Sequence, residues 1–363
     1  MTQILHTADV HLDPDAPERR AALSAVLDAA DEAGVDAVTI GGDFFDSAEA
    51  ADALRSDLRT LFADRDYPVI AIPGNHDVDA FGADLFFGEA FTAAVAEPFG
   101  HHVVGDARLT TLPYTPELDD ETLLALADRE PVDGPECLLL HCSLEAPVDA
   151  TAGDEGGVRY CPVTRAELDE LGFDYYLAGH FHSSHELDLA GGGRFVYPGS
   201  PASVTRAEQG PRSAVLLDLD GPREGRLERR RLETYHCDEL ALTVAPGEED
   251  AVVDRVADRV ATWRDRAVDA EITVEGFVGW DESTFDAALS DAAGDVPCEN
   301  RTRTLARLRA HPLFEEVRAE LDARDEPRSD SLEGTYDERD TFMADVDSEL
   351  LAAFSRLQAA GDL

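Results

Sequence analysis

Five short polar motifs hold the residues of this chain whose types and spacing could do chemistry. They are Asp9-x-His11 in TADVH, Asp43 in GGDFFDS, Asn75-His76-Asp77 in IPGNHD, His141 in LLHCS, and His180-x-His182 in AGHFH. Most are weak signals alone, because a GD pair is common in turns and a lone histidine is more often a hydrogen-bonded structural residue. GNHD and GHFH are more specific. Chance does not readily produce five such motifs in this order, each after an apolar stretch.

The residue types suit a pair of divalent cations. Two cations about 3.5–4 Å apart need a bridging carboxylate, with oxygen and imidazole donors that leave positions open for water and phosphate. Asp43 suits the bridge. Histidine, aspartate and asparagine without cysteine favour manganese or a similar ion over a structural zinc. The motifs therefore predict a two-metal centre acting on phosphoesters.

The elements that position these motifs alternate between strands and helices. QILHTADV reads as a strand, and residues 17–33 read as a helix because Leu23, Val26, Leu27 and Ala30 recur at helical spacing between Pro17 and Gly34. Further apolar strands end at the GGD, GNHD, HCS and GHFH motifs. The pattern predicts an α/β layered domain with its site at the strand ends, where open α/β sheets bind ligands.

The strand and helix pattern restarts near residue 236. ELALTVAP, a helix with Val252, Val256, Val260 and Trp263, and the strand AEITVEGFV predict a small α/β domain. We therefore expect domains at 1–235 and 236–304, followed by a helical C-terminal region at 305–363.

The C-terminal region carries an apolar stripe at helical spacing within a helix expected from 336 to 360. Its members are Phe342, Val346, Leu350, Leu351, Phe354 and Leu357. Such a stripe must be buried, either on this protein's own domains or in the groove of a partner. The sequence leaves both interpretations open.

The net charge of -47 is the most unusual bulk feature, and no lysine occurs. Because acidic residues are spread through every segment, we interpret the charge as adaptation to multi-molar salt, which screens carboxylate repulsion. The acidity therefore does not exclude a nucleic-acid substrate. In high salt a basic groove would gain little, so contacts to DNA would depend on metals, arginine and backbone donors.

Two further properties bound the setting of the protein. No apolar run is long enough to cross a membrane and the N-terminus does not read as a secretory signal, so we expect a cytoplasmic protein. The five cysteines include no CxxC pair and are expected to be buried free thiols.

Together these motifs resemble the calcineurin-like metallophosphoesterases, and within them the SbcD/Mre-type DNA repair nuclease subunits. The resemblance covers 1–235, including YPGSP and Glu208-Gln-Gly, and extends more loosely over the small domain. It implies a four-layer sandwich of two mixed sheets flanked by helices, with the small domain capping DNA. It also implies that Asp9, His11, Asp43 and His182 bind one metal, that Asp43, Asn75, His141 and His180 bind the other, and that His76 is the catalytic acid.

The activity implied by this resemblance is Mn²⁺-dependent hydrolysis of DNA by a metal-activated hydroxide during double-strand-break repair. The implied partners are DNA and a coiled-coil ATPase of the SbcC type, with a homodimer left open. One alternative is a phosphatase or phosphodiesterase for small nucleotides, whose members usually stop near the end of the catalytic fold. Another is a metal-free scaffold, which would lack ligands, whereas none is missing here.

Overall fold

The computed structural model describes residues 2–82, 85–145, 159–220, 226–264, 266–305 and 309–323, together with 350, 351, 353, 354 and 357. The chain divides into two compact units, Met1–Cys237 and Asp238–Leu363. Each is described by itself below. The finer division at 304 stays a prediction.

The first unit contains fourteen described strands and four described α-helices. The strands are β1 Gln3–Thr7, β2 Ala37–Ile40, β3 Val69–Ala71, β4 Phe91–Ala93, β5 Gly100–Val104, β6 Ala107–Thr111, β7 Glu136–His141, β8 Ser143–Glu145, β9 Pro162–Thr164, β10 Tyr175–Gly179, β11 His185–Asp188, β12 Arg194–Tyr197, β13 Ser213–Asp218 and β14 Leu227–Arg231. The helices are α1 Pro17–Ala33, α2 Ala48–Phe62, α3 Asp120–Ala127 and α4 Arg165–Leu171.

Local sequence explains where these helices begin and end. Helix α1 starts with a proline at its first turn and ends at Gly34, whose φ of 67° is the left-handed conformation that glycine adopts most easily. Ser47 caps α2 by accepting a hydrogen bond from the backbone N–H of Ala50. Thr164 and Glu167 form a reciprocal capping box at the start of α4.

Two six-stranded mixed sheets form the centre of the first unit. Their orders are β14-β13-β1-β2-β3-β4 and β11-β12-β10-β7-β6-β5. Ile4, Ala37 and Ile70 of the first sheet share a buried cluster with Leu109, Leu139 and Leu177 of the second, so the sheets face each other.

Helices cover the other face of each sheet. One buried cluster joins α1 and α2 to the first sheet, and another joins α3 and α4 to the second. The resulting order is helix, sheet, sheet, helix. The predicted four-layer α/β sandwich is confirmed.

Strand direction brings the polar motifs to one edge of this sandwich. Strands β1, β2 and β3 are parallel neighbours, with Thr7 opposite Ile40 and Ile40 opposite Ala71. In the second sheet β7 and β10 are parallel, and Gly179 lies opposite His141. Because parallel strands end at the same edge, the segments that follow them converge there.

The second unit has a smaller α/β core. Its elements are α5 Glu249–Trp263, β16 Val268–Val278, α6 Glu282–Ala293, β17 Cys298–Thr304, α7 Pro312–Ala323 and all but the first two residues of β15 His236–Val244. The three strands form one sheet in the order β15-β16-β17. Val256, Ile272 and Phe285 are central to the apolar cluster between the sheet and helices α5 and α6.

The C-terminal stripe is described for its last four members only. Leu351 and Phe354 are buried in a cluster with Phe277 and Phe314, and the rings of Phe314 and Phe354 meet edge to face at 5.3 Å. Leu350 packs against that cluster, whereas Leu357 is 43% exposed. Part of the stripe is thus core of its own unit. Phe342, Val346 and most of the predicted 336–360 helix lie outside the described residues.

Cysteine pairing and helix length give two further findings. All five cysteines are free, and four are buried while Cys298 is partly exposed. Within the described residues, no helix has the length and apolar composition needed to cross a membrane.

Candidate metal centre

The structure brings six of the seven predicted ligands together as two buried groups. In each group the nearest donor atoms lie within 4.8 Å of one another. We call Asp9, His11 and His182 the first triad, and Asp43, His141 and His180 the second triad. All six side chains are at most 2% exposed.

Asp43 belongs to the second triad and also faces the first. Its Oδ2 is 3.4 Å from Nε2 of His141 and 3.9 Å from Nε2 of His11. That oxygen is buried and has no hydrogen-bond donor within the described residues, while Oδ1 accepts the backbone N–H of His76 at 2.9 Å. One carboxylate oxygen is therefore left to face a histidine from each triad, which is the geometry of a bridging ligand.

Nε2 of His141 faces two oxygen atoms that can also accept hydrogen bonds. Its Nδ1 is 2.9 Å from the carbonyl oxygen of Gly41, which can only accept, so Nδ1 carries the proton. In the neutral ring Nε2 is then an acceptor, yet it faces Oδ1 of Asn75 at 2.9 Å and Oδ2 of Asp43. With the ring neutral, three acceptors thus converge on one point, an arrangement that a bound cation would satisfy.

The raised pKa of His141 also indicates that positive charge is favoured at this point. Burial alone would lower this pKa, but the nearby carboxylates of Asp43 and Asp9 raise it to about 9. Burial also disfavours the Asp43 carboxylate, yet His141, His11 and the N–H of His76 hold the pKa of Asp43 well below its usual range. A second proton on His141 thus does what a metal ion would do at the same point.

The first triad shows a similar convergence. Nε2 of His11 and Nε2 of His182 lie 3.1 Å apart. Nδ1 of His182 donates to Oε1 of Glu208 at 2.9 Å, so its Nε2 is an acceptor in the neutral ring. Burial raises the pKa of Asp9 to about 6 against the opposing charges of His141 and His182. The residue types and the geometry of both triads therefore fit a pair of bound cations.

His76 differs from the triads because its side chain is exposed. Its ring meets that of His11 edge to face, with centroids 4.9 Å apart. The neighbouring Asn75 is half-buried and turns its oxygen toward His141. His76 therefore stands at the open side of the centre, where a substrate could reach it.

Backbone conformation at the site is strained. Among the described residues, the non-glycine positions with positive φ are Asp9, His11, Asp43, Cys161 and His180. Four of these five are triad members, and side chains other than glycine occupy this region at a cost of about 1–3 kcal/mol each. Strain of this kind clusters at functional sites.

Two glycines make room for the ligands. A Cβ on Gly74 would lie 2.1 Å from Oδ1 of Asp43, and a Cβ on Gly42 would lie 2.3 Å from Nδ1 of His141. Neither approach is possible for a larger residue without displacing a ligand.

Two functional carboxylates were not assigned roles from the sequence. Asp77 is buried and accepts the backbone N–H groups of Phe44, Phe45 and Gly74 at 2.7 to 3.0 Å. Glu208 contacts His182. Asp77 is visible in GNHD, but nothing in an isolated motif shows which backbone groups a carboxylate will reach. Glu208 lies 26 residues from His182, so only the fold relates them.

Comparison with known proteins gives the family. The description "Calcineurin-like phosphoesterase" matches residues 2–184, just over half of the chain. The chain belongs to the calcineurin-like phosphoesterase family. The matched stretch of this phosphoesterase contains both triads, Asn75 and His76, whereas Glu208 lies beyond it.

Three curated relatives carry the same name. "DNA double-strand break repair protein Mre11" of Halobacterium salinarum is 28% identical over 312 residues, covering 81% of this chain and 75% of that protein. The protein of that name from Haloferax volcanii is 30% identical over 292 residues, covering 76% of this chain and 62% of its own length. A solved dimetal phosphatase from Danio rerio matches at 12% identity and a TM-score of 0.41, over 64% of this chain and 98% of that one.

Proposed function

We propose that this phosphoesterase hydrolyses phosphodiester bonds of DNA in double-strand-break repair. The supporting observation is the extent of the match to the Halobacterium salinarum repair protein, which covers more of the chain than the first unit contains. The similarity therefore includes part of the second unit. A phosphoesterase for small nucleotides would need no such added unit, and we propose that residues 236–304 cap the DNA.

The position of Asp43 carries the assignment of the ligands. With Oδ2 of Asp43 facing both triads, we assign the first cation to Asp9, His11, Asp43 and His182, and the second to Asp43, Asn75, His141 and His180. Two such cations would supply an activated water and neutralise charge on the phosphate. The donor set of oxygen and imidazole groups without thiolate supports manganese.

His76 is the proposed acid. It is exposed beside the buried ligand His11 and does not belong to either triad, so it can meet a phosphate without giving up a metal contact. From this position the imidazole can donate a proton to the leaving oxygen or stabilise charge on the phosphate. No side-chain nucleophile is required.

Partners follow from the same proposal. A coiled-coil ATPase of the SbcC type is the proposed partner, and the C-terminal region 305–363 is the proposed place of docking. Because Leu351 and Phe354 are core residues, the described part of the stripe left for such a partner is the exposed Leu357. Helices commonly dock through apolar side chains of this kind.

A substrate panel tests the proposed function. The full chain, purified in high KCl, is incubated with Mn²⁺ and labelled single-stranded DNA, labelled double-stranded DNA or a cyclic nucleotide. We expect cleavage of DNA that requires Mn²⁺ and disappears with chelation. Hydrolysis of the cyclic nucleotide without cleavage of either DNA would replace the nuclease with the small-nucleotide alternative.

A further inference from the structure

We propose that Glu208 is the positioning residue that keeps His182 ready to bind a cation, and that only a carboxylate can do so at this place. The inference rests on the proposed two-metal function. It concerns a residue outside the stretch that matches the phosphoesterase family.

Both oxygens of Glu208 are fully used. Oε1 accepts Nδ1–H of His182 at 2.9 Å, the N–H of Thr205 at 2.9 Å and the hydroxyl of Thr205 at 3.1 Å. Oε2 accepts the hydroxyl of Ser200 at 3.0 Å and the N–H of Val204 at 2.9 Å. The side chain is buried, with Glu208 only 3% exposed, so these bonds are shielded from water.

The bond to His182 decides which ring nitrogen is available. A carboxylate can only accept, so Nδ1 of His182 carries the proton and Nε2 keeps its lone pair for the cation. Without Glu208 the ring could take the other tautomer or turn away. Its hold on His182 is thus an electronic one as well as a steric one.

An amide cannot replace this carboxylate. Each oxygen of Glu208 accepts a backbone N–H, from Thr205 on one side and from Val204 on the other. Glutamine has one accepting oxygen, so its NH₂ group must face one of these N–H groups whichever way it turns. Glutamine has nearly the same shape as glutamate, so its effect distinguishes the hydrogen bonds of the carboxylate from the space that the side chain fills.

The backbone of His182 is held from the same segment. Arg212 donates to the carbonyl oxygen of His182 at 2.5 Å and to the carbonyl oxygen of Ser200 at 3.0 Å. The N–H of Ser200 also donates to the carbonyl oxygen of His182 at 3.1 Å. Residues 200–212 thus grip His182 at its ring and at its main chain.

This segment is itself attached to the end of the first unit. The hydroxyl of Ser203 donates to the carbonyl oxygen of Glu208 at 2.6 Å and accepts the N–H of Cys237 at 3.1 Å. The N–H of Gly210 donates to the carbonyl oxygen of Cys237 at 2.8 Å. The brace for the first triad is therefore built by the chain after residue 184.

The test compares Glu208→Gln with Glu167→Gln in the full chain. Glu167 is a matched control, because its carboxylate also accepts two hydrogen bonds, from the N–H and hydroxyl of Thr164 at the start of α4, and none from a proposed ligand. Mn²⁺ binding is measured by calorimetry, and the tautomer of His182 by ¹⁵N NMR of the metal-free protein.

We expect Glu208→Gln to weaken one of two Mn²⁺ equivalents by about 10–100-fold, the usual effect of removing such a partner, and to move His182 away from the Nδ1–H tautomer. Glu167→Gln should keep both equivalents and the tautomer. Wild-type Mn²⁺ affinity with an unchanged His182 tautomer in Glu208→Gln would overturn the proposal.

Two arrangements keep the result decisive. If Glu208→Gln does not fold, Glu208→Asp shortens the side chain by one methylene and withdraws the carboxylate from Nδ1 of His182, so it should shift the His182 tautomer and Mn²⁺ affinity in the same direction; no shift would overturn the proposal. A wild-type chain that binds two Mn²⁺ but cuts no DNA would end the nuclease proposal alone. A wild-type chain that binds no Mn²⁺ would end the two-metal proposal, and the tautomer comparison would still decide the role of Glu208.

Discussion

Asp43 and Asp77 hold each other's loops in place through hydrogen bonds that run in opposite directions. Asp43, after β2, accepts the N–H of His76, which follows β3. Asp77, after β3, accepts the N–H groups of Phe44 and Phe45, which follow β2. The two carboxylates therefore fix the relative position of the proposed bridging ligand and the proposed acid.

Replacing Asp77 should therefore cost both stability and activity. Asp77→Ala leaves three buried N–H groups without their acceptor, and each such loss costs about 1–3 kcal/mol. We expect the free energy of unfolding, measured by denaturant titration in high KCl, to fall by about 3 kcal/mol or more. Asp79→Ala, at an exposed neighbour, is the control. Equal values for the two variants would contradict the role of Asp77.

Asp43 and His76 should separate metal binding from turnover. Asp43→Ala removes the oxygen that faces both triads, so activity should disappear and bound metal, measured by atomic emission, should fall. His76→Ala should lower kcat by about 100-fold or more, as loss of a general acid does, with metal content unchanged. The assignment of His76 is wrong if both variants lose metal equally.

His6 should make the first unit less stable in acid. Burial lowers its pKa to about 4, from 6.5 in the unfolded chain. Between these values the unfolded chain binds the proton and the folded chain does not. The free energy of unfolding therefore decreases as the pH is lowered, by about 1.4 kcal/mol per pH unit and by about 3 kcal/mol in all. Above 6.5 His6 contributes no slope.

The measurement for His6 is a comparison of slopes. The free energy of unfolding is measured by far-ultraviolet circular dichroism at fixed high KCl from pH 7 to 4. It should change less with pH for His6→Gln than for the wild type. Glutamine can still pair with the hydroxyl of Thr39 and the carbonyl oxygen of Ala178, which His6 contacts at 3.0 and 3.2 Å. Parallel slopes would show that His6 titrates alike in both states.

Low salt should loosen the whole chain. A charge of -47 without lysine repels itself over a Debye length of about 10 Å at 0.1 M salt, compared with about 3 Å at 1 M. We expect the melting temperature to fall steadily as KCl is removed by dialysis, and to recover when KCl is restored. A constant melting temperature from 3 M to 0.1 M KCl would leave the acidic surface without this explanation.

Two C-terminal side chains should behave differently. Phe354 is 5% exposed in the cluster with Phe314, so Phe354→Ala should lower the stability of the second unit by about 3 kcal/mol. Leu357→Ala, at a 43% exposed position, should change it by less than about 0.5 kcal/mol. Tryptophan fluorescence reads this unit selectively, because Trp263 and Trp280 are the only tryptophans.

The same pair tests the proposed docking. In a pull-down with an SbcC-like ATPase, Leu357→Ala should reduce capture while its fluorescence melt stays as in the wild type. Undiminished capture by Leu357→Ala, and by a chain truncated before Thr335, would place the interface elsewhere.

Sequence patterns predicted much of the fold because its buried elements are strongly periodic. Helix α1 has the predicted bounds, Pro17–Ala33, since proline and glycine mark both ends. Strand β17, CENRTRT, was missed because its alternation is among polar residues and it lies at a sheet edge. The β5–β6 hairpin was missed as well, and Val103 in it is 83% exposed.

The sequence predicted which residues form the candidate site, but not the hydrogen bonds that hold those residues in place. The proposed ligands stand in short motifs of metal-binding residue types, so all seven could be named from the sequence. The supports depend on distance in space: Asp77 reaches across 33 residues to Phe44, and Glu208 reaches across 26 to His182. Each carboxylate also accepts from a backbone N–H three residues earlier, but its long-range contact follows no sequence spacing.

The left-handed backbone at Asp9, His11, Asp43 and His180 sets folding and chemistry against each other. Glycine at any of these positions would relax the main chain and delete a donor atom in the same step. At Asp9 and Asp43 glycine would also remove the acceptor of a backbone N–H, from His180 and His76 respectively, so a laboratory selection for thermal stability alone should favour glycine at His11 first, and the selected proteins should hold cations less well. Aspartate and histidine at these positions strain the backbone but provide the donor atoms that the proposed cations need.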